Sequence, residues 1–171
     1  MNWISTIEPA PWSISGFNLG PLLFGHCTLI ERWGLEEINT HEDLQILLGI
    51  CSRDYKGAWQ WLSSKSSHLL EFKNFEECKR EFLCYLAENM ALPQTFKNQS
   101  EGQTVGTPFL QGLRITAITK LNYNPQTLCE ARFGQLMWDL LSYKESTGQT
   151  RIIDEHLQQQ LDRLKELNAE I

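Results

Sequence analysis

The side chains of this sequence with the most specific catalytic and metal-binding chemistry are five cysteines and four histidines in a chain of 171 residues. The closest approach to a base beside a nucleophile is the pair His26 and Cys27. Neighbouring residues of a helix point about 100° apart, so these two groups cannot face one target. His26 also lies on an apolar stripe, which favours a buried histidine that is only hydrogen-bonded.

Motifs with a definite chemical mechanism are missing from the sequence. It contains no Walker loop, GxGxxG, HExxH, GxSxG or CxxC pattern. Cys78 and Cys84 lie six positions apart, which is not a zinc-knuckle spacing. Asp154, Glu155 and His156 lie near a predicted helix start, where the helix dipole by itself favours acidic residues. The sequence therefore predicts a protein that is not an enzyme, with no catalytic residue, no cofactor and no metal site.

Tryptophan is unusually frequent, with six residues in this length. Aromatic side chains often anchor protein interfaces. Trp3 and Trp12 belong to an N-terminal arm that we expect to be extended, so both are candidate contacts to a protein partner. The alternative is that they fold back over the apolar face of the first helix. Either arrangement favours a protein that binds over one that catalyses.

Charge and composition exclude several partners. The chain carries 15 Lys and Arg against 21 Asp and Glu, a net charge of -6, and its basic residues are dispersed. A nucleic-acid-binding surface needs clustered Lys and Arg, so we expect none. Prolines and glycines interrupt the uncharged stretch between Glu8 and Glu31, so we expect no membrane span there. Unpaired cysteines and the lack of a signal-peptide pattern in residues 1–12 predict a cytoplasmic protein.

Apolar residues recur at spacings of three and four through most of the chain, which predicts helices. A first stripe runs from Leu19 to Trp33, and Gly34 is expected to end that helix. Thr40 and Asp43 predict a capping box for the second helix. The later helical patterns begin near Tyr55, Phe75, Pro108 and Leu128. Residues 113–121 are rich in β-branched side chains, so a short strand is the alternative there.

A polar stretch divides these helices into two groups. Residues 94–107 have almost no apolar side chains, and a loop of that length is uncommon inside a compact domain. We therefore expect an N-terminal helical domain (residues 1–91), a linker (92–107) and a C-terminal helical domain (108–171). The predicted fold class is all-α, with six to seven helices in two small sub-bundles joined by the linker.

The segment from Arg151 to Ile171 has the spacing of a coiled-coil seam. Its apolar residues are candidate contacts to a protein partner or to a second copy of the chain. They are Ile153, Leu157, Leu164, Leu167 and Ile171. The alternative is a terminal amphipathic helix that packs against its own domain, and the spacing leaves both open.

Two segments are similar to proteins encoded among phage tail genes. The first comprises residues 20–26 (GPLLFGH) with Leu29, Ile30 and Glu31, then Asp43–Leu44 and residues 50–53 (ICSR). The second, residues 115–148, resembles helical tail assembly chaperones in having a short helix, an Asn-Pro turn and a long helix that closes in YKESTG. Together the two segments span 68 of the 171 residues.

The resemblance implies a non-enzymatic, all-helical protein that acts in phage or prophage tail assembly, in the host cytoplasm. Such chaperones coat a long helical tape-measure protein and are displaced as tube subunits polymerise. The implied partner is therefore a tape-measure protein or another tail protein, and the tryptophan-containing arm and the terminal heptads are the segments expected to exchange partners.

Two other classes of function are alternatives. One is an acidic helical adaptor or inhibitor of a host protein, whose binding face would contain carboxylates such as Glu36, Glu37, Glu42 and Asp43. The other is an enzyme without a recognisable motif, because catalytic geometry depends on positions in space. Cys84 or His68 in a cleft would favour that alternative.

Overall fold

The chain forms helices joined by short segments, with two small sheets. The computed structural model describes residues 11–35, 37–64, 71–92, 95–97, 108–153 and Arg163. The helices in these ranges are α1 (Phe24–Trp33), α2 (His41–Cys51), α3 (Tyr55–Ser63), α4 (Phe75–Asn89), α5 (Phe109–Thr119) and α6 (Phe133–Ser146). A 3-10 turn covers Leu128–Glu130, and the strands are β1 (Trp12–Ile14), β2 (Phe17–Leu19), β3 (Thr95–Lys97) and β4 (Thr150–Ile152).

The prediction of an all-α fold is wrong, because the described residues contain two antiparallel two-stranded sheets. In the first, β1 and β2 pair around Ser15 and Gly16, whose φ angles are 47° and 84°. Two positive φ angles give a hairpin turn that matches the twist of the strands. Ile14 and Leu19 are buried while Ser13 and Asn18 are exposed, which is the alternation of a half-buried strand.

The second sheet joins two distant segments. β3 lies within the predicted linker, and it pairs with β4 so that Phe96 stands opposite Arg151. The predicted terminal helix therefore does not begin at Arg151, and residues 150–152 are extended. Such pairing depends on partners far apart in sequence, so a local pattern cannot reveal it.

The first helix is shorter than its apolar stripe. Leu19 belongs to β2, and α1 begins only at Phe24 because Gly20 and Pro21 interrupt the helical pattern. Leu22 N–H donates to the side-chain oxygen of the buried Asn89 on α4, at 2.8 Å. At its other end α1 stops at Gly34, whose φ is 66°, so the predicted C-terminal glycine is confirmed.

The predicted capping box of α2 is also confirmed. Asp43 N–H donates to the Thr40 hydroxyl at 3.1 Å, and Thr40 N–H donates to the Asp43 carboxylate at 2.8 Å. The next helix, α3, is capped by Asp54, whose carboxylate accepts from Gly57 N–H at 2.7 Å. Because these caps satisfy N–H groups that have no partner within the helix, they set where α2 and α3 begin.

The C-terminal elements follow the helical expectation. Residues 113–119 belong to α5, so the alternative of a strand there is wrong. Asn122 has a φ of 57° in the turn that follows α5. The pattern beginning at Leu128 forms a 3-10 turn before α6 starts, and Gly148 (φ 73°) follows the end of α6 as predicted.

Both predicted helical parts contribute to the hydrophobic core. Phe24, Leu48 and Phe82 from the N-terminal part are buried in the same cluster as Leu113 and Leu136 from the C-terminal part. Two backbone hydrogen bonds join the segments directly, from Phe24 N–H to the Ala131 carbonyl and from Phe133 N–H to the Leu22 carbonyl, both at 2.8 Å. The division into two domains around residues 92–107 stays a prediction.

No helix in the described ranges is both long and apolar enough to cross a bilayer.

Close packing at Gly25 of α1 gives a test of the fold. A methyl group there would overlap the Tyr55 ring and lie 2.6 Å from the Cys129 carbonyl oxygen, a backbone atom that cannot move freely. We expect Gly25→Ala to lower the free energy of unfolding by about 1–3 kcal/mol, as overpacking does. Urea unfolding followed by circular dichroism measures the change.

Gly112 of α5 provides the matched control, since a methyl group there meets nothing within 4 Å. Gly112→Ala should raise the free energy of unfolding by about 0.5–1 kcal/mol, the helix propensity difference between the two residues. Equal effects of the two substitutions would contradict the packing described around Gly25.

Candidate protein-interaction surface

Three aromatic residues fix α3 against α1 and α2. Tyr55 lies over Gly25 of α1, and Trp61 lies over Gly49 of α2, where even a Cβ atom would overlap the indole ring. Trp59 faces α1 and meets Trp33 edge to face, with ring centroids 5.9 Å apart and planes at 87°. Such edge-to-face pairs stabilise beyond the area that they bury. The aromatic residues of α3 thus contact both neighbouring helices.

Arg32 adds a cation to the outer edge of this packing. Its guanidinium lies 4.8 Å from the Trp59 ring centroid and 5.6 Å from the Trp33 ring centroid. Trp33 keeps 40% of its surface exposed, and Trp59 is half-buried. We call Arg32, Trp33 and Trp59 the aromatic–arginine face. It combines an exposed indole with a positive charge at the C-terminal end of α1.

A second arginine, Arg53, also stacks on an indole, but its guanidinium is hydrogen-bonded to other residues of the fold. The guanidinium of Arg53 lies 4.8 Å from the Trp61 ring centroid. Its Nη1 also donates to the Gly49 carbonyl at 2.6 Å and to the Ser52 hydroxyl at 2.8 Å. Arg53 therefore holds the end of α2 against α3, whereas Arg32 forms neither an ion pair nor a hydrogen bond within the described residues.

His26 is the core histidine that the sequence predicts. Its side chain is buried, with Nδ1 accepting from Leu23 N–H at 3.2 Å and Nε2 lying 2.9 Å from the Arg53 carbonyl oxygen. Since Nδ1 accepts, Nε2 carries the proton and donates to that carbonyl. Burial lowers the pKa of His26 to about 4, against smaller raising effects of the Arg53 hydrogen bond and the Asp54 charge. The ring is neutral near pH 7 and links the start of α1 to the loop before α3.

The thiols of Cys27 and Cys51 are poor nucleophiles. Burial raises the pKa of Cys51 to about 12, and burial together with the neighbouring Cys51 raises the pKa of Cys27 to about 12. Burial also raises the pKa of Tyr85, whose hydroxyl donates to the Gly20 carbonyl at 3.0 Å. A thiol reacts as its thiolate, so neither cysteine is activated.

A depression lies between the β1–β2 turn and the start of α4. It encloses about 440 Å³, and its floor includes Ser15 and Cys78, whose Oγ and Sγ atoms lie 3.0 Å apart. Its described lining contains glutamates and Lys73 but no histidine, so neither polar group has an imidazole base beside it. Cys84 is exposed on α4 outside this lining, and His68 lies outside the described residues.

Among the residues that the structure describes, no three His, Cys, Asp or Glu side chains are grouped so that they could hold a metal ion. Two of the acidic residues suggested as a binding face form hydrogen bonds within the fold. Asp43 caps α2, and the Glu37 carboxylate accepts from the side-chain amide of Asn39 at 3.2 Å. Glu36 lies outside the described residues.

Trp12, a candidate partner contact, packs against its own fold. Its indole N–H donates to the Glu88 carboxylate at 2.8 Å, and its ring meets Tyr85 edge to face at 6.4 Å. Trp12 therefore packs on α4 of its own fold. Ile153 is half-buried just after β4. The other candidates, Trp3, Leu157, Leu164, Leu167 and Ile171, lie outside the described residues, so their roles stay predictions.

Sequence reasoning did not single out the aromatic–arginine face. Trp33 ends the first apolar stripe and Trp59 falls in the helical pattern that begins near Tyr55, so neither was selected as a candidate contact. A signal was available in Arg32–Trp33–Gly34, since a large aromatic in the last helical turn, beside a charged residue and a terminating glycine, is near the surface. What brings Trp59 to this place is the packing of α3 on α1, which periodicity does not reveal.

Comparison with family models, with curated proteins and with solved structures finds no match to this chain.

The buried His26 predicts a dependence of stability on pH. Its pKa in the folded chain is about 4, below the ordinary value of 6.5, so between these pH values the unfolded chain binds the proton and the folded chain does not. The free energy of unfolding should therefore fall by about 3 kcal/mol from this group as pH decreases from 7 to 4. Denaturant unfolding at stepped pH, compared with His26→Gln, isolates this contribution.

A nuclear magnetic resonance titration of the His26 ring in the unsubstituted chain checks the same point without a variant. The ring should stay neutral down to pH 5, with Nε2 protonated. A titration midpoint near 6.5, or equal pH dependence of the chain and His26→Gln, would contradict the buried neutral imidazole.

Proposed function

We propose that this chain is a non-enzymatic assembly protein of phage or prophage tails, chaperone-like, that binds a long helical protein partner in the host cytoplasm. The similarity of residues 20–53 and 115–148 to tail proteins supports the tail assembly part of the proposal. The observation that carries the binding part is the aromatic–arginine face, where Trp33 is 40% exposed beside Arg32, whose guanidinium has no ion-pair partner among the described residues.

The composition of this face favours binding to a protein. Tryptophan and arginine are over-represented among the few residues that supply most of the affinity of an interface. Because Trp33 and Arg32 lie on regular α1 and are held by Trp59 of α3, the face is formed before the partner arrives. A preformed face loses little conformational entropy on binding.

The chemistry of the core agrees with a binding role. His26 is neutral and hydrogen-bonded within the fold, and the half-buried Cys27 and the buried Cys51 have thiols with raised pKa values. These side chains fix α1 and α2 in position, and the feature that they support on the surface is the aromatic–arginine face.

Binding of the purified chain to a tape-measure protein tests the proposal. Isothermal titration should give a measurable Kd, and Trp33→Ala should raise that Kd at least about tenfold, as truncation of an interface anchor does. Phe109→Ala is the matched control, since Phe109 is a 59% exposed aromatic residue on a different helix, α5, and its truncation should change Kd less than about twofold.

Two results would contradict the proposal. One is the absence of binding to the tape-measure protein together with a gene that lies away from tail genes. The other is binding that Phe109→Ala weakens while Trp33→Ala leaves unchanged, which would move the contact surface to α5.

A further inference from the structure

We propose that the aromatic–arginine face recognises a carboxylate flanked by apolar side chains, so that the segment it binds is an acidic amphipathic helix. This inference rests on the proposed function, because it names the chemistry of the partner at the same face. Three properties of Arg32, Trp33 and Trp59 lead to it.

The first property is the hydrogen-bonding character of the face. A guanidinium has five N–H donors and an indole has one, and neither group has an acceptor. In the part of the chain that the structure describes, none of these N–H groups of Arg32, Trp33 and Trp59 donates to another residue, and Arg32 forms no ion pair. The face therefore offers donors only, and a carboxylate, which has only acceptors, complements it.

The second property is that Arg32 already occupies the indole rings, which disfavours a positively charged group on the partner. Aromatic faces attract cations, so an exposed indole such as Trp33 beside the half-buried Trp59 is also a possible site for a lysine or arginine. Here Arg32 of the chain itself already lies against both rings, at 4.8 Å and 5.6 Å from their centroids. A cation from the partner would meet a like charge at the place where it would have to bind.

The third property is the apolar setting of the charge. The guanidinium lies against indole rings, so its edge can meet a carboxylate with two parallel hydrogen bonds while its plane stays in contact with Trp59. The carboxylate of Glu130 accepts from Tyr55 N–H at 3.4 Å. Trp33 then supplies exposed apolar surface for the residue next to the carboxylate.

The net charge of -6 sets the range of this recognition. Because the net charge of the chain is negative, it does not attract an acidic segment from a distance. Arg32 must therefore recognise the carboxylate at short range, within the screening length of about 8 Å at physiological salt. A helix satisfies this because its residues three or four apart lie side by side, which places a carboxylate beside an apolar side chain on one face.

The test uses two synthetic helical peptides of about 20 residues with the same leucine stripe, a length that sustains a helix. One peptide carries glutamates beside the stripe and the other carries lysines. Fluorescence anisotropy with the full chain should show that the glutamate peptide binds at least about tenfold tighter. Its binding should weaken about tenfold in Arg32→Gln, and Arg32→Lys should retain part of the affinity, because lysine keeps the charge without the two-pronged geometry.

Arg80→Gln is the matched control, since Arg80 is also exposed but lies on α4, where its side chain is paired with Glu77 at 3.9 Å. It should leave the affinity for the glutamate peptide unchanged. Thermal unfolding of each variant verifies that it is folded. Equal affinity for the two peptides, a preference for the lysine peptide, or an unchanged affinity in Arg32→Gln would overturn the inference.

The two proposals fail in different ways. If the glutamate peptide binds through Arg32 but the tape-measure protein does not bind and the gene lies away from tail genes, the inference stands and the proposed function fails. If the tape-measure protein binds with equal affinity to the chain and to Arg32→Gln, the proposed function stands and the inference fails.

Discussion

The packing of α3 against α1 and α2 depends on two glycines that let aromatic rings approach helix backbones. Without side chains at Gly25 and Gly49, the rings of Tyr55 and Trp61 lie directly on α1 and α2. This close approach brings Trp59 to Trp33 and places Arg32 against both indoles. The surface that we propose for binding is thus a consequence of helix packing, because Trp59 reaches it only when α3 is docked.

The same constraint explains why the chemically active residues of this region lie in the core. His26 links Leu23 to the Arg53 carbonyl, so it fixes the start of α1 relative to the loop that leads into α3. Arg53 then reaches back to Gly49 and stacks on Trp61. The His26 imidazole and the Arg53 guanidinium are groups that often take part in catalysis. Here both are hydrogen-bonded within the junction of α1, α2 and α3.

Local signals in the sequence predicted most helix ends but not the longer-range arrangement. Gly34 and the Thr40–Asp43 box were predictable because a left-handed residue and a side-chain cap act within one helical turn. The pairing of Thr95–Lys97 with Thr150–Ile152 was not, since it joins segments far apart in the chain. For the same reason the tryptophans of the aromatic–arginine face were missed, while Trp12, which was selected, packs on α4.

Hydrogen–deuterium exchange of the full chain, with and without the tape-measure protein, tests the central claim most directly. If the aromatic–arginine face is the contact surface, protection should increase at the C-terminal turn of α1 and along α3, while α5 exchanges as before. Backbone amides at a contact exchange more slowly because binding suppresses local opening. Added protection confined to α5, or none on α1 and α3 when the partner is bound, would contradict the account.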